Sequence, residues 1–235
     1  MYIVFLVILA IIFAIVPILD ALPSKKPKNA VVTEKMQCKS YFRLILFLWG
    51  LTIPIFIMSF IGNISLADIG FRPISFNHNI WLTVVALIIS GLAFAYFIYE
   101  LISSLISKKI KEQFREEYAN DSQGALSIIP RTKKEKRLYS LVALSSAICE
   151  ETVYRGFLFF LLQTIFPNMP VFLIILIGFV TFGIGHLYQG LKGAISTGLF
   201  AALSMGLLIV TDSLIPVILL HFVAESSSIF VFSKE

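Results

Sequence analysis

The chain has 235 residues, of which 58% are hydrophobic and 14% charged, with a mean hydropathy of +0.91 and a formal net charge of +5. These values exclude an ordinary soluble globular protein and predict a polytopic membrane protein. The basic residues fall between the apolar runs, so the positive charge indicates membrane topology and not nucleic-acid binding. The two cysteines, Cys38 and Cys149, predict neither a disulfide nor a metal framework.

Apolar runs predict an all-α fold, a bundle of about seven transmembrane helices. The first run has no basic segment before it and lysines after it, so we expect an uncleaved first helix and not a signal peptide. The predicted spans are Met1–Leu22, Phe42–Ile61, Asn79–Ile106, Leu138–Phe166, Pro170–Leu187, Gly193–Val210 and Ser213–Phe232.

The distribution of basic residues predicts the orientation of these spans. The loop between the first two spans holds five lysines, and Arg43 follows at the start of the second span, whereas the next loop, Gly62–His78, holds only Arg72. The loop Ser107–Arg137 holds nine, and its amphipathic part near Lys108–Tyr118 either contacts anionic lipid head groups or is simply solvated. The positive-inside rule then places the N-terminus outside and the C-terminus in the cytoplasm. The short loops favour a bacterial plasma membrane.

Three formal charges lie within six residues of the fourth span, at Glu150, Glu151 and Arg155. Each charge near the bilayer centre costs about 2.5–3.5 kcal/mol on insertion scales, so the segment needs compensating partners. Glu151 and Arg155 are four residues apart, so they share a helix face and are expected to pair. Glu150 lies ~100° round the helix and needs a partner from a neighbouring helix. Ser146 is four residues before Glu150, and we interpret it as a small residue for helix packing.

Two later spans carry further polar residues. The fifth span ends in Phe182-Gly183-Ile184-Gly185-His186, and the seventh holds His221 and Glu225 on one helix face. Taken singly, His186 indicates a histidine bonded at a helix end, and His221 an interhelical contact. Together with Glu150 they predict one cavity in the cytoplasmic half, where a carboxylate and an imidazole can activate water.

These motifs resemble those of a known family. Glu150-Glu151-x-x-x-Arg155, Phe182-x-x-x-His186, and His221 followed by a polar residue four positions later are similar to the three motifs of the CPBP intramembrane proteases. That family includes the CAAX prenyl endopeptidases and the bacterial Abi or bacteriocin-immunity proteins. The resemblance covers about residues 138–232 and implies a core of four helices in the C-terminal half.

The resemblance implies a glutamate protease mechanism that is independent of metal, although a metal has also been proposed for the family. It implies that Glu150 is the base that activates water and that His186 helps to position the water. His221 is then the donor to the oxyanion, and Glu151 and Arg155 hold the site together.

The sequence departs from the family at Glu225, where many members have Asn and some have Asp. An amide donates to an oxyanion at any pH, whereas a carboxyl group donates only when protonated. Three alternatives remain open for Glu225: a protonated donor, a metal ligand, or no oxyanion role, with His221 acting alone.

Three functions from different classes follow. The first is an endopeptidase that cuts a membrane-associated, lipidated or precursor peptide, with residues 138–235 as the catalytic core and 1–137 as N-terminal helices and basic loops. The second is a non-catalytic interaction protein or a bacteriocin self-immunity protein that retains the fold. The third is a proton-coupled transporter, which the lack of an inverted repeat disfavours. Zincin and nucleophile-elbow motifs are absent from the sequence, and it specifies neither a cofactor nor an oligomeric state.

Overall fold

The computed structural model describes residues 33–61, 64–76, 80–121 and 129–231. These residues form helices and connecting turns, and none of them lies in a β-strand. The α-helices are α1 (Glu34–Phe60), α2 (Ile80–Ile106), α3 (Lys108–Asp121), α4 (Lys133–Glu150), α5 (Leu158–Ile165), α6 (Val171–Gly185), α7 (Leu191–Thr211) and α8 (Ile215–Val231). A π-helical segment (Glu151–Phe157) joins α4 to α5, and a short 3₁₀ turn (Leu187–Gln189) precedes α7.

The protein is a multi-pass membrane protein with an all-α fold. Helices α1, α2 and α7 are long and apolar enough to cross a membrane, and α6 and most of α8 are shorter apolar helices. The surface of α2 presents large apolar side chains, such as Trp81 at 76% and Leu92 at 67% exposure, which suits a helix that faces lipid. Five of the predicted spans coincide with α1, α2, α6, α7 and α8. The predicted first span lies outside the described residues, so the count of seven stays a prediction.

Helix α4 packs against α1 and α8. It begins with a capping box: the Thr132 side chain accepts from the Glu135 backbone N–H, and the Glu135 carboxylate accepts from the Thr132 backbone N–H at 3.2 Å. Helix α8 also packs along α2, and α7 packs along both α2 and α6.

The fourth predicted span is one continuous helical rod, made of α4, the π segment and α5.

The segment 64–76 is bound to the turn between α7 and α8. The backbone N–H of Leu214 donates to the Gly70 carbonyl at 2.8 Å, and Gly70 has a φ of 86°, which favours glycine. Arg72 forms an ion pair with the Asp212 carboxylate, and its Nε also donates to the Asp212 carbonyl at 2.7 Å. These contacts fix the point at which α8 begins.

Glycine allows close approach at two packing contacts, one between two helices and one between the π segment and segment 64–76. A Cβ on Gly183 of α6 would lie 2.9 Å from the Ala194 carbonyl oxygen of α7. The missing side chain at this glycine lets α6 and α7 pack closely. At the other contact, the π-segment residue Gly156 packs directly against the backbone carbonyl of Ile69.

We expect Gly156→Ala to destabilise the protein, because its Cβ would overlap the Ile69 carbonyl oxygen and lie 2.9 Å from Leu214 Cδ1. Overpacking of this kind typically costs about 1–3 kcal/mol. The measurement is the apparent melting temperature of the purified protein. Gly91→Ala in α2 is the matched control, because nothing lies within 4 Å of its Cβ position. Equal melting temperatures for the two variants would contradict the tight contact.

Candidate active site

The first motif lies where the helical rod changes from α to π geometry. Glu150 ends α4, and Glu151 begins the π segment, which continues to Phe157. The backbone N–H of Leu158 donates to the Val153 carbonyl, five residues earlier, instead of four. Such π segments are rare and occur frequently at functional sites, since the added residue redirects the side chains on either side. Here the segment begins at Glu151, directly after Glu150, and ends where the apolar helix α5 begins.

Glu151 is the centre of a buried ionic network. Its side chain is fully buried and lies 3.1 Å from Arg155 Nε, which confirms the predicted i, i+4 pair. Its second oxygen accepts from Nδ1 of His221 at 2.6 Å, a contact between the π segment and α8. The Arg155 guanidinium lies over the Phe182 ring of α6, 4.2 Å from its centroid. The Glu151 carboxylate thus joins the π segment to α8, and Arg155 extends this network to α6.

Glu150 points away from this network, as its position on the helix predicted. It is half-buried, and the Ser146 hydroxyl donates to its Oε1 at 2.9 Å. The interpretation of Ser146 as a packing residue was therefore wrong, because its hydroxyl shares a helix face with Glu150 and hydrogen-bonds to it. The hydrogen bond orients the carboxylate and leaves its second oxygen for other partners.

His186 stands at the C-terminal end of α6, where Gly183 and Gly185 let the helix end against α7. Its Nδ1 is 2.8 Å from the Phe182 carbonyl oxygen, and its ring packs on Phe182 and Tyr188. A carbonyl oxygen only accepts hydrogen bonds, so Nδ1 carries the hydrogen. In the neutral ring, Nε2 therefore carries a lone pair and can accept a hydrogen bond from water.

A cavity of about 380 Å³ brings four of the six predicted site residues together: Glu150, His186, His221 and Glu225. Glu151 and Arg155 do not line it and instead lie buried behind its wall. Loop residues Ile129 and Gln189 line the cavity at the end of the bundle that carries the basic loop. The predicted single cavity is thus present, with the ionic network as its support.

One wall of the cavity is apolar and comes from α1. The α1 residues that line it are Leu44, Phe47, Leu48 and Leu51. Phe47 is 42% exposed, so part of its ring is not covered by other side chains. The polar cluster therefore faces an apolar surface within the same cavity.

The described residues of this region do not form a metal site. Among the described residues, no group of three or more histidine, cysteine, aspartate or glutamate side chains is arranged to hold a metal ion. We therefore derive no step that passes through a metal.

Two polar residues of this region were not predicted from the sequence. Tyr139 of α4 lines the cavity together with Glu225. Glu100 of α2 is fully buried and accepts from the Ser227 hydroxyl of α8 at 3.0 Å. A lone glutamate within the apolar run of the third span was the signal for Glu100. Tyr139 carried no such signal, since tyrosines are common near the ends of membrane helices.

Comparison with known proteins gives one finding. Residues 137–227 match the family model described as Rce1-like, "Type II CAAX prenyl endopeptidase Rce1-like". The matched segment contains all three motifs. The resemblance to the CPBP family, which is a family of membrane proteases, is therefore confirmed. No curated protein and no solved structure matches the chain.

We expect Arg155→Ala to lower both the yield of folded protein and its melting temperature, because the substitution leaves Glu151 buried without its arginine. Loss of one partner from a buried ion pair typically costs about 3–5 kcal/mol. Size-exclusion chromatography and thermal unfolding in detergent measure the effect. Arg137→Ala is the control, since Arg137 is exposed at the start of the same helical rod. Wild-type behaviour of Arg155→Ala would mean that His221 alone holds Glu151.

Proposed function

We propose that this CPBP-type chain is an intramembrane endopeptidase that hydrolyses a peptide bond with water activated by Glu150. One observation carries the proposal: the Glu150 carboxylate and the two histidines line a single cavity, and a buried ionic network supports that cavity from behind. A carboxylate in reach of a substrate cavity is a general base, and an adjacent imidazole orients the water.

The reaction follows from the roles that these atoms can take. Glu150 accepts a proton from water while the water oxygen attacks the substrate carbonyl, and the lone pair on His186 Nε2 helps to orient that water. His221 donates to the oxyanion from Nε2 in its imidazolium form, which the Glu151 carboxylate at 2.6 Å from Nδ1 stabilises. Arg155 fixes Glu151, so that the histidine keeps its position through the reaction.

The cavity supports a substrate that carries an apolar group next to the cleaved bond. Its α1 wall is apolar, whereas the catalytic side chains come from α4, α6 and α8. The matched family model is described as a CAAX prenyl endopeptidase, which acts on lipid-modified peptides. We infer a membrane-associated or lipidated peptide as the substrate, with the bilayer as the second partner.

The placement in the cell and the division of the chain are also part of this proposal. The cavity opens at the end of the bundle that carries the basic loop, so the positive-inside rule puts the substrate at the cytoplasmic leaflet, with the N-terminus outside and the C-terminus inside. The short loops favour a bacterial plasma membrane. Residues 138–235 supply all six site residues, and residues 1–137 supply the apolar wall.

A second function is favoured by one residue. Glu225 replaces the asparagine that many family members have, and its carboxyl group lies 3.7 Å from His221 Nε2, where an oxyanion donor is expected. If that carboxyl group blocks catalysis, the chain is a non-catalytic membrane interaction protein or a bacteriocin self-immunity protein that retains the protease fold.

We expect Glu150→Gln to abolish peptide release with little loss of folded protein, because glutamine keeps the shape and the hydrogen bond from Ser146 but accepts no proton. Cells that contain equal membrane levels of wild type or variant are compared by mass spectrometry of released peptides. Glu116→Gln is the control, since Glu116 is exposed on α3.

A peptide that disappears in Glu150→Gln but persists in Glu116→Gln would identify both the activity and its substrate. An unchanged peptide profile, with all three proteins folded, would favour the non-catalytic interaction protein.

A further inference from the structure

A second cavity lies at the other end of the bundle from the candidate active site. It has a volume of about 290 Å³ and lies between segment 64–76, helix α5 and the turn that follows α7. Helix α7 connects the two cavities: Ser196, near its start, lines the first, and Asp212, its C-cap, lines the second. The 21 residues of α7 span about 30 Å, close to the thickness of a bilayer core. The second cavity therefore lies at the opposite membrane interface.

Exposed apolar side chains flank this cavity. Leu66 and Phe166, each two residues from a residue that lines it, are both exposed. Trp81 is exposed at the start of α2, which follows segment 64–76, and tryptophan is enriched at the interface between bilayer and water. Large exposed apolar side chains on a membrane protein pack against acyl chains. A lipid molecule at this interface therefore reaches the cavity directly.

The polar lining of the cavity carries an excess of negative charge. Among the described lining residues, the charged ones are Asp68, Arg72 and Asp212, two carboxylates against one guanidinium. Arg72 pairs with Asp212, so no basic residue of the described lining is left to pair with Asp68. This charge favours a ligand that carries a cation. A lipid whose head group is only anionic does not match it.

Both carboxylates keep an oxygen for a ligand. Asp68 accepts through Oδ2 from the backbone N–H of Ser65 at 2.8 Å, and Asp212 meets Arg72 through Oδ1. In the part of the chain that the structure describes, the second oxygen of each carboxylate accepts no hydrogen bond. Such oxygens need N–H donors, which a primary ammonium group supplies and a quaternary ammonium group lacks. The cavity thus favours a primary amine.

Arg72 provides the complementary group for an anion beside that amine. Its contacts with Asp212 use Nε and Nη2, so Nη1 donates to no described residue. The loop Gly62–His78 contains no other lysine or arginine, and the turn 167–170 contains none. Guanidinium groups bind phosphate well because their N–H groups match its oxygens. The lining therefore matches a head group that holds an ammonium and a phosphate close together.

We propose that this cavity binds the head group of phosphatidylethanolamine, the phospholipid class in which a phosphate is joined to a primary amine. The ammonium lies at Asp68 and Asp212, the phosphate lies at Arg72, and the acyl chains follow the exposed apolar side chains beside the cavity. The inference does not depend on the endopeptidase function, because the described lining of this cavity shares no residue with that of the candidate active site.

The bound lipid stabilises the attachment of segment 64–76 to the start of α8. Gly70 and Asp212 belong to that attachment and line the cavity, together with Gly156 of the π segment. A ligand that binds only the folded protein raises its apparent stability. Phosphatidylethanolamine should therefore raise the melting temperature of the protein.

Thermal unfolding of the full chain in lipid nanodiscs tests the proposal. Three compositions are compared: phosphatidylcholine alone, and the same lipid with an equal molar fraction of either phosphatidylethanolamine or phosphatidylglycerol. We expect phosphatidylethanolamine to raise the apparent melting temperature by about 3–6 °C when it is present at about ten times its dissociation constant. Phosphatidylglycerol has no cation and should leave it unchanged. No rise with phosphatidylethanolamine, or an equal rise with phosphatidylglycerol, would overturn the proposal.

Asp68→Asn separates binding in the cavity from a general effect of the bilayer. Asparagine keeps an acceptor for the Ser65 N–H but removes the negative charge, so the variant should unfold like the wild type in phosphatidylcholine and lose most of the rise. Glu116→Gln is the matched control, because it removes an exposed carboxylate of α3 and should keep the full rise. A full rise in Asp68→Asn would mean that the lipid acts through the bilayer, which overturns the site.

Two further measurements complete the test. Native mass spectrometry of protein released from mixed nanodiscs counts the lipids that stay bound, and the wild type should retain more phosphatidylethanolamine than Asp68→Asn does. Equal retention by the two proteins would contradict the site even if the variant is less stable. Soluble phosphoethanolamine, added to phosphatidylcholine nanodiscs, separates the head group from the whole lipid. If it raises the melting temperature as much as the lipid does, the ligand is not a lipid.

Discussion

The structure depends on a single buried carboxylate, that of Glu151. It lies between Arg155, on its own helical rod, and His221 on α8, and its side chain is fully buried. In an apolar interior a charge of this kind is stable only when its partners stay in place, and removal of one of them leaves an uncompensated ion. The same three residues therefore hold two helical elements together and set the position of a histidine in the cavity. Stability and function use the same atoms here.

The polar side chains that line the cavity make different contacts from those of the Glu151 network. Glu150 and Glu225 are only partly buried, the Ser146 hydroxyl donates to Glu150, and His186 is bonded to a backbone carbonyl. None of these partners is an arginine or a lysine. A charge that is locked in a strong ion pair is a poor base, because its proton affinity is reduced by the cation. The structure thus places one carboxylate in a buried ion pair, behind the wall of the cavity that Glu150 and Glu225 line.

Sequence was sufficient for the parts of the molecule that depend on local periodicity. Apolar runs predicted α1, α2, α6, α7 and α8, and the i, i+4 spacing predicted the pair of Glu151 and Arg155. The bond between Glu151 and His221 was not predicted, because two residues 70 positions apart meet only after two helices pack. Ser146 was misread because a serine in a membrane helix serves packing and hydrogen bonding equally well.

The attachment of segment 64–76 to the turn before α8 has a consequence for how the chain can be divided. The family match covers residues 137–227, but the first turn of α8 is fixed by Gly70 and Arg72, and its later part is bonded to Glu100 through Ser227. The α1 helix covers α4 as well as the cavity. The segment that carries the motifs therefore makes structural contacts with the preceding part of the chain. Cutting the chain at residue 137 would remove the buried Glu100 carboxylate, the contacts that fix the start of α8, and the apolar wall of the cavity. The part of the chain that matches the family model thus takes its shape partly from the part that does not.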